Sequence, residues 1–217
     1  MNSKSDATQC PLCQSENITS FYEDKQRIYL CCLHCKLVFV PRQFWLSSEK
    51  EKARYDLHKN EAQDQDYRQF LSRLSAPLLE KLTPNQKGLD FGCGPGPTLS
   101  LLLEEQGQHV DLFDPYYYND PTVFDKKYNF ICATEVMEHL SNPNKEFTSL
   151  FTMLHQGGWL GIMTKLLVND QTFGEWYYIR DMTHICFYSR STFEYLALHF
   201  NAEPEFIGED VILLNKK

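Results

Sequence analysis

The stretch Leu89-Asp90-Phe91-Gly92-Cys93-Gly94-Pro95-Gly96-Pro97 constrains this chain more than any other segment. An apolar strand carrying an acidic residue near its end runs straight into a glycine-rich turn. Glycines are needed there because positive φ, or the lack of a Cβ, lets main chain approach a small ligand closely. A helix is expected next, with Thr98 as cap, Leu99, Leu102 and Leu103 as apolar stripe, and Gly107 as stop. A second strand, His109 to Phe113, ends at Asp114, 24 positions after Asp90. That is close to the offset of about 20 residues at which such folds set a carboxylate on a ribose. Asp114 is therefore the ribose-diol candidate.

Pyrophosphate binding asks for G-x-G-x-x-G, whereas this loop reads Gly92-x-Gly94-x-Gly96. Pro95 and Pro97 also remove two backbone N–H donors. A diphosphate would miss those donors; a ligand presenting an amino acid group and a ribose would not. The loop thus favours S-adenosylmethionine over NAD.

Four features then carry a resemblance: Leu89 to Gly96, the acidic Asp114, the run Phe130-Ile131-Cys132-Ala133-Thr134-Glu135-Val136-Met137-Glu138-His139-Leu140, and Gly157 to Ile162. In order and spacing they resemble class I S-adenosylmethionine-dependent methyltransferases, in particular the small-molecule group with an E-V-x-E-H turn, over residues 76 to 217. The resemblance implies cofactor contacts at Asp90, Gly92, Cys93, Gly94, Gly96, Asp114, Pro115 and Glu135. It also implies a doubly wound α/β sheet with ligands at the carboxyl edge of the strands.

The chain has 217 residues, enough for one medium core plus an appendage. Met1 to Gln9 is polar, and no run approaches the roughly 18 apolar residues of a membrane span, so a cytoplasmic protein is expected. A net charge of −8 disfavours a large nucleic-acid surface. The basic residues Lys50, Lys52, Arg54 and Lys59 are interleaved with Glu49, Glu51 and Asp56, as on a solvated helix face.

Cys10-x-x-Cys13 and Cys32-x-x-Cys35, separated by 18 residues, have the spacing of a four-thiolate zinc site. Residues 18 to 30 between them suit a short hairpin, and a unit of this size needs a staple. Structural zinc is therefore expected on Cys10, Cys13, Cys32 and Cys35, with Cys31 and His34 as bystanders. Cys93, Cys132 and Cys186 read as core thiols.

Residues 47 to 82 read as two helical stretches, the second amphipathic through Tyr67, Phe70, Leu71, Leu74, Leu78, Leu79 and Leu82. Tyr55 and Tyr67 are candidates for substrate contact. Only 14 residues lie between Asp114 and Asn129, where the family fits a helix, a third strand and a loop, so a sheet shortened at the third-strand edge is expected. This leaves the adenine pocket open. Asp120 and Asp125 are candidate substitutes for the usual acidic residue, and the tyrosines of Asp114-Pro115-Tyr116-Tyr117-Tyr118 offer aromatic faces.

Methyl transfer from a sulfonium is an in-line displacement that needs an aligned nucleophile and a base. Glu135, Glu138 and His139 follow the fourth strand of the family's order at its carboxyl edge; equally, they brace a turn before a helix capped by Asn142. A second cluster, Trp176 to Ser189, resembles the family's D-x-T-H-x-x-F segment, and His184 competes with His139 as the base. For it, too, structure and function stay open: Asp181 can fix Thr183 or His184, Arg180 can hold a substrate anion or pair with Glu175, and Ser189 or Ser191 can cap a helix that buries Phe193, Tyr195, Leu196, Leu198 and Phe200. His58, His109, His155 and His199 read as structural or exposed.

The expected architecture is a zinc ribbon (residues 1–41), a helical connector (42–75) and a Rossmann-like α/β methyltransferase domain (76–217), with Val211 to Leu214 as the closing strand. The expected acceptor is a small molecule; zinc-ribbon relatives imply a sugar or sugar nucleotide. The alternative is a degenerate cofactor-binding module, or a macromolecule-modifying methyltransferase recruited through a protein partner of the ribbon.

Overall fold

The computed structural model describes residues 9–57, 61–168 and 170–217. His58 and Lys59 lie outside the described residues, as do residues 1–8. Ten strands and five α-helices follow in chain order: β1 (Ile18–Glu23), β2 (Ile28–Cys32), β3 (Val38–Phe39), α1 (Ser48–Tyr55), α2 (Gln65–Leu79), β4 (Lys87–Phe91), α3 (Thr98–Glu104), β5 (His109–Phe113), β6 (Tyr128–Thr134), α4 (Pro143–Met153), β7 (Leu154–Met163), β8 (Cys186–Phe187), α5 (Arg190–His199), β9 (Ala202–Ile207) and β10 (Val211–Lys216).

Six strands form the main sheet in the order β5-β4-β6-β7-β10-β9. The first four are parallel, and β10 and β9 pair antiparallel. Successive side chains along a strand point to opposite faces, and the central strands use both. Phe130 and Cys132 of β6, with Val211 and Leu213 of β10, face α2 and α3 through Leu71, Leu74, Leu78, Leu99 and Leu103. Ile131, Ala133, Ile212 and Leu214 face α4 and α5 through Phe147, Leu150, Phe151, Phe193 and Leu196. The result is the helices-on-both-faces architecture that places ligands at the carboxyl edge of the parallel strands.

Between β5 and β6 the chain makes a short 3-10 turn, Pro121–Asp125, and no strand, so β5 is the sheet edge. Asn142 caps α4 by accepting from the Lys145 N–H, and Ser189 caps α5 in a reciprocal box with Thr192. Two local expectations fail. Pro97, not Thr98, precedes α3, and Asp90 from the neighbouring strand accepts the Ser100 N–H, so an inward carboxylate does the work of a local cap. Leu198 is 85% exposed, because it falls on the outer face of α5.

The N-terminal hairpin β1-β2 continues through β3 into β8, a strand 147 positions further along, giving a second antiparallel sheet β1-β2-β3-β8. Val38 pairs with Phe187 and Phe39 with Cys186. Edge-on aromatic contacts of Tyr29 with Phe173 and Phe187 seal this junction. The Asn144 side chain at the start of α4 donates to the Leu12 carbonyl at 2.6 Å. One buried apolar core runs from Cys10, Leu12 and Tyr29 to the main sheet. The second helix, α2, crosses positions 75 and 76 without a break, and its Leu74 and Leu78 are buried in that sheet's other face.

Candidate active site

A cleft of about 550 Å³ opens at the carboxyl ends of β4, β5 and β6. Its floor is the glycine-rich loop, its far wall is α1, and its roof is the segment from Asp181 to His184. Gly92 and Gly94 take φ of +76° and +66°, which a glycine adopts without strain. A Cβ at Gly92 would stand 2.4 Å from a Val136 methyl, so the turn is closed to any larger residue.

The N–H groups of Gly92, Cys93 and Gly94 in this loop are already engaged. Gly92 N–H and Cys93 N–H bond the Phe113 carbonyl at 2.7 and 3.2 Å, Gly94 N–H bonds Asp114 Oδ2 at 3.1 Å, and Thr98 N–H bonds Gly96. Pro95 and Pro97 have no N–H to offer. A diphosphate would find few partners here.

Two carboxylates point into this floor. Asp114 Oδ1 accepts from the N–H groups of Tyr116 and Tyr117, which fixes the side chain at the end of β5 beside the loop. Asp90 is 3% exposed, and its Oδ2 is buried without a hydrogen-bond partner. Burial, then the nearby Asp114 charge, pushes its carboxyl up to about 7 against the pull of the Ser100 N–H. An orphaned carboxylate oxygen is costly unless a ligand donor or cation meets it.

Across the cleft, Glu135 sits at φ +53° after β6, and Glu138 and His139 follow in a 3-10 turn. Glu138 is fully buried and accepts from Thr164 Oγ1 at 2.9 Å and the Tyr178 hydroxyl at 2.5 Å. Enclosure by the walls, then the Glu138 carboxylate, raises Glu135 to about 9. His139 and His184 lie 4.8 Å apart, ring centre to ring centre. The Nδ1 of His139 donates to the Thr183 carbonyl at 3.1 Å, and that of His184 to the Tyr178 carbonyl at 2.8 Å. A carbonyl can only accept, so in each ring Nδ1 carries a proton, and the uncharged form of such a ring has its lone pair on Nε2. Burial lowers the pKa of His184.

Asp181 holds the roof from within. Its Oδ1 accepts from the Thr183 N–H and Oγ1 at 2.9 and 2.7 Å. Against a burial that works the other way, these bonds keep it down at about 2. Arg54 of α1 pairs with the same carboxylate at 3.3 Å. Arg180 is exposed and stands outside the cleft lining.

The missing third-strand unit is replaced by α1. Glu51 bonds the hydroxyls of Tyr55 and Tyr116, and Asp56 bonds that of Tyr117, so the three tyrosines wall the side of the cleft next to β5. Tyr67 of α2 also lines the cleft. Asp120 instead caps the 3-10 turn through the Thr122 N–H, and neither it nor Asp125 lines the cleft.

Nothing in the residues around Arg27 marks it as part of the site. It lies in the β1-β2 turn, yet is 1% exposed. Its guanidinium donates to the carbonyls of Ile179 and His184 at 2.7 and 2.8 Å, with longer contacts to Asp181 and Met182, and Nε bonds the Tyr29 hydroxyl. The hairpin therefore holds the main chain that carries His184. Thr164 and Tyr178 were also missed; the rule that ligands meet strand ends would have found Thr164, one residue after β7.

At the other end of the hairpin the four cysteines Cys10, Cys13, Cys32 and Cys35 bring their sulfurs within 4.8 Å of one another. Cys10 and Cys35 approach to 3.5 Å, and Cys13 and Cys32 to 3.4 Å. All are free thiols. Four sulfurs at about 2.3 Å from a tetrahedral zinc stand about 3.8 Å apart, so the set fits that ion. His34 packs instead against the Tyr195 ring, and Cys31 Sγ contacts the Cys32 carbonyl.

The family model described as a methyltransferase domain matches residues 60–205. The chain belongs to this methyltransferase family. It is an enzyme of the S-adenosylmethionine-dependent class. No curated protein sequence matches the methyltransferase. Among solved structures it is similar to a 1,6-didemethyltoxoflavin-N1-methyltransferase from Burkholderia thailandensis, with bound 1,6-didemethyltoxoflavin and S-adenosylhomocysteine, at 15% identity and a TM-score of 0.53, over 91% of this chain and 99% of that one. It is also similar to an O-methyltransferase family protein of Burkholderia thailandensis at 13% identity and a TM-score of 0.50, over 77% of this chain and 62% of that one. At such identities the likeness concerns the fold. Among the described residues, no helix is long and apolar enough to cross a membrane.

Proposed function

We propose that the methyltransferase moves a methyl group from S-adenosylmethionine to a small-molecule acceptor held between the glycine-rich loop and the His139–His184 pair. The observation that carries this reading is the cleft's division. A floor with engaged N–H groups and two inward carboxylates faces a roof with two imidazoles, within about 550 Å³. That volume suits a cofactor and a small acceptor rather than a polymer.

The residues fit the cofactor. Asp90 Oδ2 would meet its ammonium group, Asp114 its ribose hydroxyls, and the α1-braced tyrosines its adenine; Gly92, Cys93, Gly94, Gly96, Pro115 and Glu135 complete the contacts. When bound, the cofactor supplies an electrophilic methyl on a sulfonium. The chain's part is alignment and proton removal. His139 and His184 line the cleft, each held through Nδ1 by a main-chain carbonyl that leaves Nε2 for a ligand, and burial lowers the pKa of His184; the Arg27 clamp fixes the roof. The acceptor class that the sequence resemblance implies, a sugar or sugar nucleotide, suits a roof that binds hydroxyls. The four-cysteine knuckle would hold structural zinc.

Calorimetric titration of the zinc-loaded protein with S-adenosylmethionine, S-adenosylhomocysteine and NADH tests the reading. Saturable binding of the first two alone is expected. Binding of NADH instead, or of none of the three, would refute it.

A further inference from the structure

The roof holds three groups whose arrangement a simple base does not need. Glu138, His139 and His184 bring one donor atom each to within 4.8 Å of the others, and two of the three are buried. His139 Nε2 and Glu138 Oε1 stand 4.0 Å apart. That is beyond hydrogen-bond reach, yet within the roughly 4.2 Å across which two ligands at about 2.1 Å can flank one cation.

The surroundings orient all three donors. Each histidine donates Nδ1–H to a main-chain carbonyl, which turns its Nε2 lone pair away from that carbonyl. Such a bond on the second ring nitrogen is the usual companion of a metal-bound imidazole. The Thr164 and Tyr178 hydroxyls pin the carboxylate in the same way. The main-chain acceptors of the two rings, the Tyr178 and Thr183 carbonyls, belong to one segment, and Arg27 holds neighbouring carbonyls of that segment from behind.

We propose that Glu138, His139 and His184 form a divalent-cation site in the roof of the cleft, separate from the four-cysteine knuckle. Two imidazoles and one carboxylate suit a first-row ion such as Mn²⁺, Fe²⁺ or Co²⁺ better than Mg²⁺ or Ca²⁺, which prefer oxygen. Three protein ligands leave positions open toward the cleft, and the chemistry that fills adjacent positions on such an ion is a pair of neighbouring oxygens, as in a vicinal diol. The inference rests on reading the cleft as the methyl-transfer site. The ion would lower the pKa of a bound hydroxyl. The two imidazoles then serve the reaction through the ion and not as free bases: the hydroxyl proton leaves to water at the cleft mouth, the oxygen lone pair forms the new bond to the methyl carbon, and the C–S electron pair stays on sulfur.

The test is Mn²⁺ titration of the zinc-loaded full chain, followed by the electron spin resonance signal of free Mn²⁺, with S-adenosylmethionine affinity measured on the same samples. Zinc content is checked before and after, so that exchange at the cysteines is excluded. One saturable Mn²⁺ per chain is expected, weakened at least about 10-fold in His139→Gln and in His184→Gln while zinc content is kept. His139 is half-buried, so its variant keeps the experiment informative if the His184 variant misfolds. Absence of saturable Mn²⁺ binding to the wild type at about 1 mM, or equal binding by the folded variants, would overturn the site. Mn²⁺ binding without S-adenosylmethionine binding would leave the site standing and refute the methyl-transfer reading instead.

Discussion

Replacing Arg27 by methionine keeps most of the side-chain volume and removes the guanidinium that holds the roof of the cleft. The short bonds to Ile179 and His184 are charge-assisted, and such bonds contribute about 1.5–3 kcal/mol each. Their loss leaves two buried carbonyls to find new partners, while the Tyr29 hydroxyl keeps its bond to Asp24. Allowing for partial relaxation, the whole change should cost about 3–5 kcal/mol, a little under the sum of the two bonds. With a urea m-value of about 2–3 kcal/mol/M, the midpoint of unfolding should fall by about 1–2.5 M. Lys25→Met, two positions away and exposed, is the control and should move stability by less than about 0.5 kcal/mol. An Arg27→Met protein within about 1 kcal/mol of wild type would refute the claim that the hairpin clamps the roof.

Asp114→Asn and Asp90→Asn are each expected to weaken S-adenosylmethionine binding by about 10–100-fold, the loss of one charge-assisted contact, as read by calorimetry; unchanged affinity removes that residue from the cofactor. His139→Ala and His184→Ala should lower turnover by about 10²–10⁴-fold with cofactor affinity within about 2-fold; loss of cofactor binding in both would sink their catalytic role. Gly92→Ala places a Cβ against Val136 at a positive φ and should destabilise the fold by about 2–4 kcal/mol in denaturant titration. Stripping zinc with a chelator, or Cys13→Ser, is expected to lower the melting temperature by about 10 °C or more, followed by scanning calorimetry beside metal analysis; an unchanged melting temperature in the stripped protein would remove the staple.

The features legible in the sequence were those whose cause is local. The apolar runs of β6 and β10, the glycines of the loop after β4, the Asn142 and Ser189 caps and the paired cysteines each act within a few residues. The missing third-strand unit could be read from a simple shortage of chain after Asp114. What was hidden depends on partners far apart in sequence. Arg27 reads as a turn charge until the carbonyls of residues 179 to 184 come to it, 152 or more positions away. The capping of α3 passed from Thr98 to Asp90 because a neighbouring strand brings a carboxylate closer than any local group. Glu51 and Asp56 looked like a solvated helix face; their place beside the tyrosines of β5's exit follows only from the docking of α1.

The pairing of β3 with β8 imposes an order of assembly. At a synthesis rate of about 5–20 residues per second, the ribbon's last strand would wait roughly 7–30 s for its partner, nearly 150 residues downstream. Throughout that interval the edge of β3 is unpaired, the Tyr29 face is uncovered and Arg27 remains solvated, the state in which a nascent strand is most open to pairing with another chain. The four-cysteine knuckle, complete once residue 35 has emerged, can organise the hairpin meanwhile. The slow step in this enzyme's biogenesis should therefore be the docking of residues 179 to 187 onto a preformed β1-β2-β3 sheet, and variants that destabilise that sheet should be lost to aggregation during synthesis more than to unfolding afterwards.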